Sequence, residues 1–150
     1  MVRLGLGLFA IPLSWVDEAL WFVELSPLAG AAASSLGTLN LRGEPIPVVD
    51  AAAFFHGSAA LHGPEDWLVV LTVRGRRVAF VAEALGAVRR LEPNDWQPMD
   101  RALVKSPWAL GLVAHESDIA VLVDLEALVE GVERQGLLES ADATGPGMRP

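Results

Sequence analysis

The stretch that most constrains the fold is residues 36–50, LGTLNLRGEPIPVVD, in which a glycine-centred turn joins two runs of apolar, β-forming residues. Leu39 and Leu41 alternate with polar neighbours before the turn, and apolar residues resume after it. Gly43 can adopt a positive φ without steric cost, as a tight hairpin turn requires. The two prolines of the second run have no N–H to donate. The stretch therefore predicts a β-hairpin whose second strand lies at a sheet edge or pairs irregularly.

Two further strand–turn–strand patterns follow along the chain. Residues 67–73 and 78–82 are apolar runs on either side of an Arg-Gly-Arg-Arg turn, and residues 108–123 repeat the arrangement. Residues 39–49 also match residues 71–81, at a shift of 32 residues. This match fits either the shared chemistry of two hairpins or two similar sheets side by side. Short strands separated by turns favour small β-barrels over an α/β layer.

The remaining segments give weaker patterns, except for one helix. Apolar residues recur at helical spacing over residues 125–138, and Asp124 is placed to cap a helix that begins there. In residues 2–13, apolar side chains alternate along the chain as in a strand. Residues 15–23 predict a helical turn or a strand, and residues 88–91 predict a strand. We expect a helical turn at residues 51–56, a loop at residues 92–105 and a disordered tail at residues 140–150.

The composition excludes several classes of function. The chain has 150 residues, is 52% hydrophobic, carries a net charge of −8 and contains no cysteine. Because a negative surface repels phosphates, we expect neither nucleic acid nor direct membrane insertion or binding. No apolar run reaches the ~18–20 residues of a transmembrane helix. Pro12 interrupts the apolar N-terminal run, which disfavours a signal peptide, so we expect a soluble, cytoplasmic protein.

No catalytic or metal site can be assembled from the residue types. His56, His62 and His115 lack short ligand spacing, and no cysteine accompanies them. The G-x-G-x-x-A pattern at residues 5–10 has almost no chain before it and no helix after it, unlike a dinucleotide motif. A G-x-S-x-G nucleophile motif is absent from the sequence. We therefore expect no enzyme, no cofactor and no metal.

A charge pair is the one candidate site that the residues alone indicate. Arg42 stands at the tip of the first predicted hairpin, and Glu18, at the end of another apolar stretch, could be its partner. One interpretation is a surface ion pair worth ~0–1 kcal/mol. The other is a positioned charge pair beside an apolar groove, where it orients a docked helix. Composition does not separate the two.

At these residues the chain resembles the CheW family, the adaptors of bacterial chemotaxis arrays. Residues 37–50 are similar to the family signature G-x-x-N-L-R-G-x-x-[IV]-P-[IV]-[IV]-D. The resemblance extends to the V-x-E of residues 16–18, to residues 77–88, and to the closing strand and helix at residues 111–128. It therefore covers about residues 4–130.

The resemblance implies an all-β fold of two small SH3-like β-barrel subdomains that share a hydrophobic core, with a C-terminal helix. It also implies a non-catalytic adaptor that couples a chemoreceptor (a methyl-accepting chemotaxis protein) to the regulatory domain of a CheA-type histidine kinase. The cytoplasmic tip of the receptor would lie in the groove between the barrels. Family positions important for partner binding fall on Val16, Glu18, Gly37, Arg42 and Val88. We expect this domain to occupy residues 1–139, followed by the tail at residues 140–150.

Departures from the family pattern lead to alternatives. The family's first strand would begin before Met1. We therefore expect a first barrel that is more mobile than the second and that self-associates, or receives a partner strand, through an open edge. A start codon further upstream is the alternative. Ala51 and Ala52 replace the Leu and Arg of the family's D-L-R, and Ala79 and Glu83 replace a Gly and an Asp, so a specialised paralogue could bind the receptor without binding or activating the kinase. A small-ligand enzyme or sensor using the groove is a more remote alternative.

Overall fold

The computed structural model describes residues 1–4, 7–26, 35–50, 62–100 and 108–134 of the chain. Strands dominate these ranges, and one α-helix follows them. In chain order the elements are β1 (Val2–Leu4), β2 (Gly7–Ala10), a 3₁₀ turn (Leu13–Trp15), β3 (Val16–Trp21), β4 (Ser35–Leu41), β5 (Glu44–Val49), β6 (Trp67–Val73), β7 (Arg76–Ala82), β8 (Ala84–Leu85), a second 3₁₀ turn (Pro93–Asp95), β9 (Trp96–Pro98), β10 (Ala109–His115), β11 (Asp118–Val123) and α1 (Leu125–Arg134).

The strands form two sheets, which we call the first and the second barrel. The first barrel has the strand order β8-β1-β2-β11-β10-β9, and the second has the order β3-β6-β7-β5-β4. In the second barrel the chain continues beyond β3 to Ser26, which forms a bridge with Thr38 of β4 and so brings the two sheet edges together. The predicted all-β arrangement of two small SH3-like β-barrel subdomains with a C-terminal helix is confirmed.

The two Arg-Gly hairpins have the same turn. Arg42 and Arg74 have φ values of 51° and 54°, and Gly43 and Gly75 have φ values of 87° and 76°. Positive φ at both central residues is the pattern of a type I′ turn, whose twist matches that of the strands it joins. Both hairpins, β4–β5 and β6–β7, belong to the second barrel. The internal match therefore reflects turn chemistry repeated within one sheet, rather than two sheets side by side.

The prolines of β5 explain its incomplete pairing. β5 pairs with β4 along its whole length but with β7 only at Val48 and Val49. Pro45 and Pro47 precede this short parallel segment and have no N–H to donate to a second neighbour. Irregular pairing was therefore the correct alternative, because β5 lies inside the sheet rather than at its edge.

A shared hydrophobic core joins the barrels. Its largest cluster takes buried side chains from both sheets and from α1, among them Phe9, Val69 and Leu128. A second cluster, which includes Ile46 and Val70, fills the second barrel. Because successive strand residues point to opposite faces, the adjacent Val69 and Val70 of β6 serve the two different clusters. The sheet of the second barrel is thus buried on both faces at its centre.

The C-terminal helix begins where its sequence predicts. Asp124 Oδ1 accepts a hydrogen bond from the Ala127 N–H at 3.2 Å, as an N-cap side chain does. Leu125, Leu128 and Val129 are buried and anchor the helix to the shared core. The helix is described to Arg134, and the predicted end at residue 138 lies outside the described residues.

Several local predictions are wrong. Residues 92–105, predicted as a loop with local turns, do contain a 3₁₀ turn but also contain β9, which was not predicted. β9 can pair with β10 because Gly111 has no side chain; a Cβ there would lie 2.5 Å from the Trp96 ring. Residues 88–91 are not a strand, and residues 2–13 form two strands, with Val2 opposite Phe9, rather than one. The helical turn predicted at residues 51–56 and the tail at residues 140–150 lie outside the described residues.

The N-terminal strand also differs from its prediction. β1 lies between β2 and β8 and pairs with both, so the expected open edge is not beside it. In the part of the chain that the structure describes, the first barrel instead ends at β8 and β9, which are two and three residues long. Short edge strands offer few backbone groups to another chain.

Candidate interaction surface

The predicted charge pair is present. Arg42, in the β4–β5 turn, donates through Nη2 to Glu18 Oε2 of β3 at 2.5 Å. The Arg42 side chain is 70% exposed and that of Glu18 is 33% exposed. Arg42 has φ 51°, a conformation that Gly, Asn or Asp adopts more easily than arginine. The turn itself therefore does not require an arginine, whose charged side chain is presented at the surface.

A second charge cluster holds this turn against β3. Arg77 of β7 donates through Nη1 to Glu44 Oε1 at 2.6 Å and through Nε to Asp17 Oδ2 at 3.1 Å. The Thr72 hydroxyl donates to the same oxygen of Asp17. The hydrogen bond to Glu44, followed by the one to Asp17, raises the pKa of Arg77 above its ordinary value. This role of Arg77 could not be predicted from the sequence, because only the strand register distinguishes Arg77 from Arg76.

Gly37 lies apart from the charge pair and has a backbone role. It is buried, has φ 128°, and a Cβ at this position would lie 2.4 Å from the Ser26 carbonyl oxygen. Ser26 and Thr38 exchange backbone hydrogen bonds of 2.8 and 3.0 Å next to it. Gly37 thus permits the close approach that closes the second barrel. An effect of Gly37 on partner binding would act through the shape of β4 rather than through contact.

An apolar cleft of about 150 Å³ lies between the two barrels. Val16 and Ala19 of β3 line it from the second barrel, and Leu85 of β8 lines it from the first. Val88, which follows β8, also lines the cleft and is 72% exposed. The structure therefore brings together Val16 and Val88, two of the residues that the family resemblance indicates. We call this feature the inter-barrel cleft.

The inter-barrel cleft continues into a neighbouring cavity of about 260 Å³. The two share Ile11, Leu13 and Val88, and the larger cavity reaches Arg89 and Leu91. Leu13 is 59% exposed despite its apolar side chain. A contiguous exposed apolar surface is typical of a binding site in a protein of this size. Leu13, Ala19 and Leu85 were not predicted, because only the packing of the barrels brings them to one surface.

In the described part of the chain, two histidines lie beside carboxylates. His62 lies between Asp50 and Asp66, with Nε2–Oδ2 and Nδ1–Oδ2 distances of 3.2 and 3.3 Å, and joins the end of β5 to the start of β6. His115 lies 4.0 Å from Glu116, and His56 is outside the described residues. Within the described ranges, no three His, Cys, Asp or Glu side chains are grouped to hold a metal ion. No helix there is long and apolar enough to span a membrane.

Fold and surface together define an all-β binding module with an apolar cleft between two barrels and a charge pair on a hairpin tip. Residues 1–133 match the model of the CheW-like domain family. The chain therefore belongs to the CheW-like family.

Individual relatives agree with this assignment. The chain is 27% identical over 135 residues to the chemotaxis protein CheW of Rhizobium meliloti (strain 1021), covering 89% of this chain and 87% of that protein. It is 24% identical over 141 residues to the chemotaxis protein CheW of Treponema pallidum (strain Nichols), covering 90% and 83%. The crystal structure of the scaffolding protein TtCheW from Thermoanaerobacter tengcongensis matches with a TM-score of 0.73 at 17% identity, covering 82% of this chain and 85% of that one.

Proposed function

We propose that this protein is a non-catalytic chemotaxis adaptor that couples the cytoplasmic tip of a chemoreceptor to the regulatory domain of a CheA-type histidine kinase. The observation that carries the proposal is the inter-barrel cleft with the charge pair of Arg42 and Glu18 on the adjoining second barrel. An apolar cleft suits the apolar face of a helix, and a nearby charge pair sets its orientation. The role implies a cytoplasmic location.

The five site residues divide into three groups in this proposal. Val16 and Val88 contact the receptor helix, because both line the cleft. Glu18 and Arg42 contact a partner at the hairpin tip, where their side chains reach the surface. Gly37 acts through the closure of the second barrel.

Two further parts of the proposal concern the extent of the domain and self-association. We place the functional unit in residues 1–139 and assign no role in binding to residues 140–150. Self-association through the edge of the first barrel would use β8 or β9, the strands at the sheet ends in the described part of the chain.

Separate titrations with a receptor signalling tip and with a CheA regulatory domain test the function. We expect both to bind. Binding of the tip without the kinase would instead indicate a receptor-specific paralogue. If neither bound and a metabolite did, the adaptor function would be wrong.

A matched pair of variants tests the cleft. Val88→Asp places a charge at the cleft, whereas Ile119→Asp places one on β11, outside the cleft lining, at a side chain that is 60% exposed. We expect Val88→Asp to weaken receptor binding by ~1–3 kcal/mol and Ile119→Asp to leave it unchanged. Both proteins should melt close to the parent, because both positions are exposed. Equal losses in the two variants would place the receptor site elsewhere.

A further inference from the structure

Trp21 and Trp67 form an exposed aromatic pair on the second barrel. They are register partners on β3 and β6, and their ring centroids lie 3.9 Å apart at an interplanar angle of 26°. Trp67 packs against the shared core, but Trp21 is 56% exposed. Cross-strand stacking stabilises the pairing of β3 with β6. Stacking alone does not explain why more than half of the Trp21 surface is left in water.

The aromatic pair continues the wall of the inter-barrel cleft. Ala19 and Trp21 lie opposite Val69 and Trp67 in the β3–β6 register, so the four residues share one face of the sheet. Ala19 and Val69 line the cleft. The aromatic pair therefore lies just beyond the cleft, on the same strands.

The charges near the aromatic pair in sequence and register are acidic. Glu24 follows Trp21 by three residues, and Glu65 precedes Trp67 by two; both are exposed. Glu83, also exposed, follows the β7 residue that pairs with Trp67. Residues 4–41, 43–73 and 78–88 contain no lysine or arginine. The basic residues of this barrel are Arg42 in the β4–β5 turn, which is paired with Glu18, and Arg74, Arg76 and Arg77 around the β6–β7 turn, at the other end of β6 from Trp67.

We propose that Trp21 and Trp67 form a docking site for an arginine or lysine side chain of a partner protein. The face of an indole ring attracts a cation more strongly than that of any other side chain, and neighbouring carboxylates add to the attraction. Stacking holds both rings in place, so little side-chain entropy is lost on binding. The argument for this site rests on the aromatic pair and its acidic surroundings and does not depend on the receptor and kinase contacts proposed above.

A peptide titration tests the proposal directly. The probe is the acetylated and amidated peptide Gly-Gly-Arg-Gly-Gly, and the control replaces arginine with citrulline, which keeps the shape and loses the charge. Binding is followed by the indole N–H signals in ¹⁵N NMR spectra, assigned with Trp21→Phe and Trp67→Phe. We expect the arginine peptide to shift both signals with a Kd on the order of millimolar, and the citrulline peptide to bind roughly fivefold more weakly or less. Added salt should weaken the arginine binding.

Variants at the aromatic pair distinguish the contribution of the aromatic ring to binding from that of apolar surface alone. Trp21→Leu keeps an apolar side chain but removes the aromatic face, so the preference for arginine over citrulline should disappear. Trp21→Phe keeps an aromatic face and should retain part of the preference. Val23→Ala, at a nearby side chain that is 43% exposed, should change nothing. The backbone amide signals of β3 and β6 report whether each variant keeps the fold.

Three outcomes would overturn the proposal. Equal shifts with both peptides would indicate a neutral or apolar partner. Shifts that depend on protein concentration without peptide would indicate a second copy of this chain. Unchanged indole signals in both titrations would leave the stack with a purely structural role.

Discussion

At the scale of single residues, the arginines at the same turn position of two hairpins make different contacts. Arg42 and Arg74 have nearly the same φ in equivalent hairpins, but only Arg42 presents its charge beside β3. Arg74 instead reaches α1, with Nη1 3.3 Å from Glu130 and Nε 3.6 Å from Glu126. These carboxylates, Glu130 first, raise the pKa of Arg74. Arg74 thus ties a hairpin to the helix, whereas Arg42 pairs with β3 through Glu18 and keeps most of its side chain exposed.

Arg42→Ala should weaken partner binding by ~1–3 kcal/mol, a typical loss for a desolvated charge contact. The melting temperature should change little, because exposed ion pairs add little stability. Titrations with the receptor tip and the kinase domain measure the first effect, and thermal unfolding measures the second. Arg74→Ala is the control, since it makes the same change at the equivalent turn position. A large loss of stability in Arg42→Ala with unchanged affinity would give the charge pair a structural role.

The sequence indicated the Arg42–Glu18 pair because Arg42 stands at the tip of an otherwise apolar hairpin and Glu18 at the end of an apolar stretch. It did not predict the bonds of Arg77 to Asp17 and Glu44, which depend on the order of strands in the sheet. Nor did it predict the stack of Trp21 on Trp67, because strand register alone makes them neighbours. Local sequence patterns identify side chains that do not fit their context. Contacts between residues distant in sequence can be identified only from the fold.

At the scale of elements, hairpins and the helix were predictable and irregular segments were not. β4–β5 and β6–β7 follow from an apolar alternation and an Arg-Gly turn, and α1 from its spacing and its Asp124 cap. β9 was missed because its pairing depends on the missing side chain of Gly111 on another strand. A strand whose pairing depends on a glycine in another strand shows little β-pattern in its own sequence.

Gly37→Ala should lower the free energy of unfolding by about 1–3 kcal/mol, because the residue has φ 128° and the new Cβ would meet the Ser26 carbonyl. Urea denaturation measures the loss. Gly75→Ala is the matched control, since its φ is also positive, at 76°, but no atom lies within 4 Å of its Cβ position. The Gly75→Ala control should lose less free energy of unfolding. Equal losses would assign the whole cost to the positive φ and none to the closure of the barrel.

At the scale of the whole molecule, the all-β class and a groove between two barrels were predictable from the family resemblance, but most of the residues that line the cleft were not. Its lining combines Val2, Val16 and Val88, which come from distant parts of the sequence. Only the packing of one barrel against the other creates this surface. The shared core that fixes this packing also contains residues of both sheets and α1.

Hydrogen exchange compared between the barrels tests the predicted difference in mobility. We expect weaker amide protection in the first barrel, above all at β8 and β9, because strands of two and three residues end its sheet. Sedimentation over a range of concentrations measures self-association in the same samples. Uniformly strong protection in a strictly monomeric sample would contradict both expectations.

The parallel pairing of β2 with β11 places Leu8 beside Ala120, so the centre of the first sheet joins strands from opposite ends of the described chain. The strands of the second barrel are all complete by Ala82. During synthesis on the ribosome, the second barrel has its full set of strands while β11 has not yet been translated. β2, with the core residue Phe9, therefore waits without its parallel neighbour until β11 has been synthesised. β11 thus completes a barrel whose strands β1 and β2 are synthesised long before it.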